Sequence, residues 1–291
     1  LRAEQARRRE SGDPVQLGIG VSTYVEITGG GATSEFGKLE VHDDGSATMY
    51  CGTLAHGQGH QTTYAMLVSA QTGIPVDRIT LVDGDTDRVP QGGGTGGSRS
   101  VQFGGSAVSE ATKLVVDKAR QLAARILEAD EADIVVDTET GTIGVVGVPA
   151  TALTWGDLAA GSVELDDEPL AADTIYSGDG PSFPFGAHIS AVEVDTETGR
   201  ARVRRHVAVD DAGTVINKLL LEGQQHGGIA SGLSQVLYEE VCFDPDGNPI
   251  TSNFADYGLP SAAEMPSFDV FSTETPSPRN VLGAKGIGEA S

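Results

Sequence analysis

Four glycine-rich stretches limit what this chain can become: HGQGHQT at 56–62, GGGTGGSRSVQFGG at 92–105, GQQHGGIASG at 223–232 and GAKGIGEAS at 283–291. Glycine supplies 39 of the 291 residues, and it is gathered into particular loops, which excludes a uniform low-complexity chain. The first three stretches stand immediately before helical patterns. A helix start offers free N–H donors and a positive dipole end, which suit phosphate or another anion. Glycine there lets a bulky ligand approach the main chain. Gln58, Ser98, Arg99, Ser100 and Gln224 add hydrogen-bonding side chains, and the Arg99 fork suits a bidentate grip on phosphate. The fourth stretch bares the backbone around one cation, Lys285, and one carboxylate, Glu289. It reads either as a flexible tail or as a loop that presents a base to a closely bound ligand.

Between these loops the pattern is mixed. Residues 1–10 read as the end of a helix, and QLGIGVSTYVEITGGG (16–31) as a strand closing on a glycine turn. FGKLEVHDDGSATMYCGT (36–53) reads as a hairpin around Asp43-Asp44-Gly45. In HQTTYAMLVSAQTGIP (60–75), Tyr64, Leu67, Val68 and Gln71 share a helix face, with Gly73 as the C-cap and Pro75 as the stop. RITLVDGDT (78–86) is a strand, and helical spacing over about 105–129 is the clearest in the chain. Hairpins follow at 133–148 and 187–211, then a third helix at about 222–240. The predicted fold is α+β: two lobes of mixed, hairpin-built sheets packed with helices. Residues 1–16 form an N-terminal helical segment, 17–160 the first lobe, 161–186 a Pro/Gly-punctuated linker, and 187–291 the second lobe.

The charge balance narrows the partners. Nineteen Lys and Arg against 42 Asp and Glu leave a net charge of −23. Nucleic-acid phosphates and anionic membranes would be repelled. No apolar run is long enough to cross a bilayer, and the charged residues 1–10 do not read as the apolar stretch of a secretory signal, so none is expected. Cys51 and Cys242 are the only cysteines, so a reducing cytoplasm is the expected compartment.

Familiar catalytic signatures fail on inspection. GGGTGG has Rossmann-like glycine spacing, but no suitably placed acidic ribose ligand accompanies it. GAKGIG lacks the spacing and hydroxyl of a P-loop. His56 and His60 are spaced H-x-x-x-H, yet the glycines between them argue against a zincin helix, and structural histidines are the simpler reading. Ser98 and Ser100 lack a nucleophile elbow. The 244–248 stretch resembles part of a calcium loop but reads as a turn. Asp210-Asp211, near Gly213 and Asn217, reads equally as a ligand contact and as a strand-ending turn.

Taken in order, YVEITGGG, GQGHQTTYAML, GTGGSRS, VDDAGTVIN, EGQQHGGIASGLSQVLYEE, NFADYGLP and GAKGIGEAS resemble the molybdenum-binding large subunit of the xanthine dehydrogenase/aldehyde oxidoreductase family. The resemblance is strongest to the aerobic carbon monoxide dehydrogenase branch. It runs from about residue 2 to the end and matches the C-terminal portion of such a subunit. It implies a molybdenum-cofactor-binding fold and a molybdopterin in its cytosine dinucleotide form, whose dithiolene sulfurs hold the metal without protein ligands. Gln58 and Gly59 would then line the metal and pterin. Gly96, Gly97, Ser98, Arg99 and Ser100 would hold pterin and phosphates. Gln224, Gly228, Lys285 and Gly286 would complete the wall, and Glu289 would be the catalytic base beside the metal.

The family oxidises a small substrate with water as the oxygen source. It works with an iron–sulfur small subunit carrying [2Fe–2S] and a medium subunit carrying FAD, as a dimer of heterotrimers. The loop that distinguishes carbon monoxide oxidisers lies outside the resemblance, so the substrate stays open, and the isolated piece is expected to bind cofactor poorly and to be inactive. Two other readings remain: a cofactor-less scaffold or assembly paralogue, and a phosphate- or nucleotide-binding hydrolase, for which no nucleophile or metal set is evident.

Overall fold

Strand pairing, not chain order, sorts the molecule into its units. The computed structural model describes residues 1–31, 34–166 and 168–290. A short helix α1 (Arg2–Ser11) leads into β1 (Val15–Val25), followed by β2 (Ser34–Val41), β3 (Ala47–Cys51), α2 (His60–Thr72) and β4 (Ile79–Val82). A π-helical turn, Ser100–Gly105, opens the long helix α3 (Ser106–Ile126). Next come β5 (Ile134–Asp137), β6 (Thr142–Val145), β7 (Leu153–Thr154), α4 (Trp155–Asp166) and β8 (Ala171–Ser177). The remainder is β9 (Phe185–Asp195), β10 (Ala201–Asp211), α5 (Lys218–Leu237) and β11 (Phe268–Thr273). Helices and mixed sheets together give the α+β architecture read from the sequence.

One sheet runs β4-β3-β2-β8, with β3 and β4 parallel and the other pairs antiparallel. Helices α2 and α3 pack beside each other against it. Leu39, Met49, Tyr64, Val68, Val108, Val115 and Leu122 form their shared core, which extends to Ile134 and Ile143 of the small β5-β6-β7 sheet and to Leu158 of α4. Gly73 ends α2 with φ 73°, the left-handed value a C-cap requires.

The other sheet runs β1-β9-β10-β11. β1 and β9 pair antiparallel from Val15↔Asp195 to Val25↔Phe185, and β11 adds parallel to β10. Helix α5 packs on the β11 side, and Gln225 reaches Asp210 and the Phe271 carbonyl.

These sheets cross the boundaries drawn from chain order. β1, placed in the first lobe, is a strand of the β9–β11 sheet. The 161–186 span, expected as a linker, contains the end of α4 and β8, which pairs with β2 from Ser34↔Ser177 to Glu40↔Ala171. The period-2 pattern of a strand reports its faces but not its partner.

The third helix also differs from expectation. α5 starts at Lys218, where the Asn217 side chain accepts the Leu220 N–H at 3.1 Å. Hence GQQHGGIASG is not a helix entry but lies inside the helix, and its free N–H groups are those beside Asn217. Glycine inside a helix costs roughly 1 kcal/mol relative to alanine; here the cap and the flanking Leu-Leu-Leu-Glu run carry the helix through.

Gly37 shows how tightly the sheet and α3 meet: an added Cβ would stand 2.4 Å from the Ala107 carbonyl carbon. That neighbour is backbone and cannot rotate away. Gly37→Ala is therefore expected to lower stability by roughly 1–3 kcal/mol. The measurement is a lower urea midpoint with an unchanged slope.

Candidate functional site

The terminal segment is a pinned loop, and the reading of it as a loose tail is set aside. Lys285 N–H donates to the Ala212 carbonyl at 2.8 Å, and the Gly283 carbonyl accepts Thr214 N–H and Ser277 N–H, each at 2.9 Å. Asn280 closes the bend, accepting Leu282 and Ala284 N–H and donating to the Ala284 carbonyl. Gly213 and Ala284 form an antiparallel bridge, and Gly213 has room for no side chain, since a Cβ would stand 2.3 Å from the Gly283 oxygen. Ser291, the last residue, lies outside the described residues.

On its other side this loop meets the 96–100 bend. An added Cβ at Gly286 would lie 2.1 Å from the Ser98 carbonyl oxygen, so only glycine allows the contact. Ser98 itself is left-handed at φ 52°, an uncommon state for a residue with a side chain. It turns its Oγ to donate to Glu289 Oε2 at 2.8 Å.

Between these loops and the starts of α2 and α5 lies a cavity of about 590 Å³. Nine of the expected site residues line it: Gln58, Gly96, Gly97, Ser98, Ser100, Gln224, Lys285, Gly286 and Glu289. The 212–217 loop supplies a further wall through Thr214, Val215, Ile216 and Asn217. Sequence reasoning weighed this loop only for Asp210, Asp211, Gly213 and Asn217, and the apolar residues between carried no signal of their own.

Three expected residues do not line the cavity. Arg99 turns inward: its guanidinium is buried, lies 3.1 Å from Glu35 Oε2, and donates to the carbonyls of Ser34 (2.8 Å) and Gly94 (3.2 Å). The expected phosphate grip is corrected to an internal clamp, because buried Glu35 demands a cation and Arg99 is the one that meets it. Gly59 is instead a packing position: it enters α2 at φ 82°, and a Cβ there would strike Leu220 of α5 at 2.7 Å. Gly228 is buried within α5.

Lys285 lines the cavity, but its ammonium is already engaged. Nζ lies 2.7 Å from Asp211 Oδ1 and 4.6 Å from the centre of the Phe185 ring, and both charged side chains are buried. Burial alone would raise the Asp211 pKa; the hydrogen bonds from Lys285, Gly213 N–H and Thr273 outweigh it and hold the carboxyl below its ordinary value. Beside it, Asp210 accepts from Gln225 (2.7 Å), Tyr24 (2.8 Å) and His188 Nε2 (2.9 Å), and His188 continues to His206 and Ser190. Burial opposes the Asp210 charge too, and these donors again hold its carboxyl low.

His60 was read from sequence as structural, and half of it is. Nδ1 lies 3.2 Å from the Thr53 carbonyl and so carries the proton, and the ring stacks on Tyr64. Nε2 is buried without a partner, on a residue that lines the cavity. Burial pushes the His60 pKa down, so at neutral pH this nitrogen is a bare acceptor for an N–H or O–H of a ligand. Among the described residues no group of three or more His, Cys, Asp or Glu could hold a metal. The walls offer glycine backbone on several sides, amide and hydroxyl side chains, and one orphaned acceptor, which suit a polar heterocycle.

Comparison with known proteins places the fold in a class. Residues 1–266 match the family model described as the molybdopterin cofactor-binding domain, and the chain belongs to this family. The carbon monoxide dehydrogenase large chain of Hydrogenophaga pseudoflava is 37% identical over 304 residues, an alignment covering 99% of this chain and 38% of that one. The 6-hydroxypseudooxynicotine dehydrogenase complex subunit gamma of Paenarthrobacter nicotinovorans is 38% identical, covering 98% and 36%. Among solved structures, Cu,Mo-CO dehydrogenase in its carbon monoxide reduced state superposes with a TM-score of 0.91 at 36% identity, covering 100% of this chain and 38% of that chain. Quinoline 2-oxidoreductase from Pseudomonas putida 86 gives 0.88 at 33% identity. The chain thus spans about 38% of the length of the carbon monoxide dehydrogenase large chains it matches.

The Lys285–Asp211 pair makes a direct prediction. Removing the cation strands a buried carboxylate, which costs about 3–5 kcal/mol. Lys285→Met is expected to destabilise by that order at neutral pH. Because the Asp211 pKa is lowered in the fold, the charge contributes above the unfolded value of about 3.9 and is lost as pH falls through the folded one. The gap between wild type and variant should therefore narrow in acid below pH ~4, as read from denaturation at several pH values.

Proposed function

We propose that this chain forms the cofactor-embracing part of a molybdenum-dependent oxidoreductase large subunit, of the hydroxylase or carbon monoxide dehydrogenase kind, which oxidises a small substrate with water as the oxygen source. The observation that carries this reading is one cavity walled by four separate loop regions, with the Glu289 carboxylate at its edge.

The bound group would be molybdopterin in its cytosine dinucleotide form. Gln58, Ser98, Ser100 and Gln224 would hold it through hydrogen bonds, and the bare backbone at Gly96, Gly97 and Gly286 would let it lie against the main chain. His60 Nε2 would accept a hydrogen bond from it. When bound, its molybdenum supplies the two-electron oxidation. Glu289 is exposed, with its Oε2 steadied by Ser98, and its carboxylate takes the proton from the attacking water. A base within hydrogen-bond reach of its proton contributes typically 10²–10⁴-fold in rate. The Lys285–Asp211 pair fixes the loop that carries the base.

The whole assembly would pass electrons to an iron–sulfur subunit with [2Fe–2S] and then to an FAD subunit, within a dimer of heterotrimers in the cytoplasm. The name of one relative, a subunit of a dehydrogenase complex, supports a multi-subunit setting. Among the described residues no helix is long and apolar enough to cross a membrane.

Metal and pterin analysis of the matured, full-length protein tests the cofactor assignment: molybdenum and a fluorescent pterin are expected, and their absence would favour a scaffold. Glu289→Gln should retain molybdenum while turnover falls by about 10²–10⁴-fold. Undiminished turnover in that variant would remove Glu289 from the chemistry.

A further inference from the structure

A buried glutamine stands behind the wall that carries Ser98, and the function proposed above makes no use of it. Gln102 belongs to the π-helical turn that opens α3. Its Oε1 accepts the Ser182 hydroxyl at 2.6 Å, which leaves the Ser182 oxygen to accept from Thr28 Oγ1 at 2.9 Å. Ser182 and Thr28 are fully buried, and their main chains form an antiparallel bridge with N–H to carbonyl distances of 2.9 and 3.1 Å. The Gln102 amide nitrogen is buried with no partner.

That amide fills the place of a missing side chain. Gly29 is left-handed at φ 69°, and an added Cβ would lie 2.0 Å from Gln102 Nε2 and 2.9 Å from the Phe103 ring. Gly29 N–H donates to the Gly97 carbonyl at 2.7 Å, and Gly97 precedes Ser98 on the cavity wall. Thr28 presses on the terminal loop, since a Cβ on Gly286 would lie 2.9 Å from the Thr28 Cβ. Two short routes thus leave Gln102, one through Gly29 to the 97–98 bend and one through Ser182 and Thr28 to Gly286. They end on the two segments that the Ser98–Glu289 hydrogen bond joins.

For stability alone, a glutamine is a poor choice at this position. A buried donor without an acceptor carries its full desolvation penalty, and an apolar group of the same shape is near neutral or better. Single π turns, moreover, are frequent at functional sites. We propose that Gln102 is a positioning residue: it braces the 28–29 strap against the 97–98 bend and the terminal loop, and so sets the left-handed Ser98 and the Glu289 side chain that Ser98 holds. Its effect on catalysis rests on Glu289 being the base; its effect on the strap does not.

Gln102→Met tests this, because it keeps the shape while removing both the acceptor and the orphaned donor. Hydrogen exchange in the full chain is the first readout. The Thr28 and Gly29 amides should exchange about tenfold faster in the variant, as expected for a local opening, while the urea midpoint stays equal or rises. Unchanged exchange at these amides, or a urea midpoint that falls far enough to account for it, overturns the brace. Ser182→Ala, a smaller change that breaks the same link, should quicken the same two amides, and failure to do so overturns the route through Ser182. In the matured, full-length enzyme Gln102→Met should keep its molybdenum and its KM, lose about 10–100-fold in kcat, and have no further effect in a Glu289→Gln background. Lost molybdenum, or an additive loss in that background, removes the positioning role. Failure of Glu289 as the base would appear instead as turnover retained in Glu289→Gln, with the faster exchange at Thr28 and Gly29 unaffected.

Discussion

The backbone ties between the 283–289 loop and the 212–214 bend hold the site together. Both segments are short and apolar in part, and neither is helical or a strand of a sheet. They are kept in register by main-chain hydrogen bonds and by the buried ion pair between Lys285 and Asp211. Such a pair is weak evidence of net stability, because desolvation consumes much of its attraction. Its clearer effect is geometric. With Asp211 as the last residue of β10, the pair attaches a loop that bears a functional acid to the most extensively bonded sheet of the molecule. The position of Glu289 is then inherited from β10 rather than from the loop.

The glycines act through the same contacts. At Gly213 and Gly286 main chain meets main chain at distances no side chain allows, and at Gly59 the start of α2 rests on Leu220. Removing a side chain at these three points brings four segments, distant in sequence, around one space. Ser98 is the exception that completes the pattern: it accepts a left-handed backbone and uses its hydroxyl to hold the acid opposite.

Much of this was legible beforehand, and the failures have physical causes. That Gln58, Ser98, Ser100 and Glu289 share one cavity was anticipated because they stand in or beside glycine-rich bends. Helix α2 was readable from its periodicity and its Gly73 cap. Arg99 misled because a guanidinium suits phosphate and carboxylate equally, and nothing local revealed that Glu35, remote in sequence, would be buried beside it. The start of α5 was missed because glycines drew the eye past Asn217, whose cap sets the boundary. The sheet membership of β1 and β8 was hidden because partners distant in sequence leave no trace in the strand's own pattern.

The pairing of β1 with β9 joins residues near 15–25 to residues near 185–195. The Gly96–Ser98 bend is tied through Gly29 to the end of β1, while the terminal loop is tied to β10. Contacts of such long separation are slow to close. The two walls of the cavity therefore depend on a sheet whose neighbouring strands come from distant parts of the described chain, so a defect far from the site in sequence reaches it through β1 or β10.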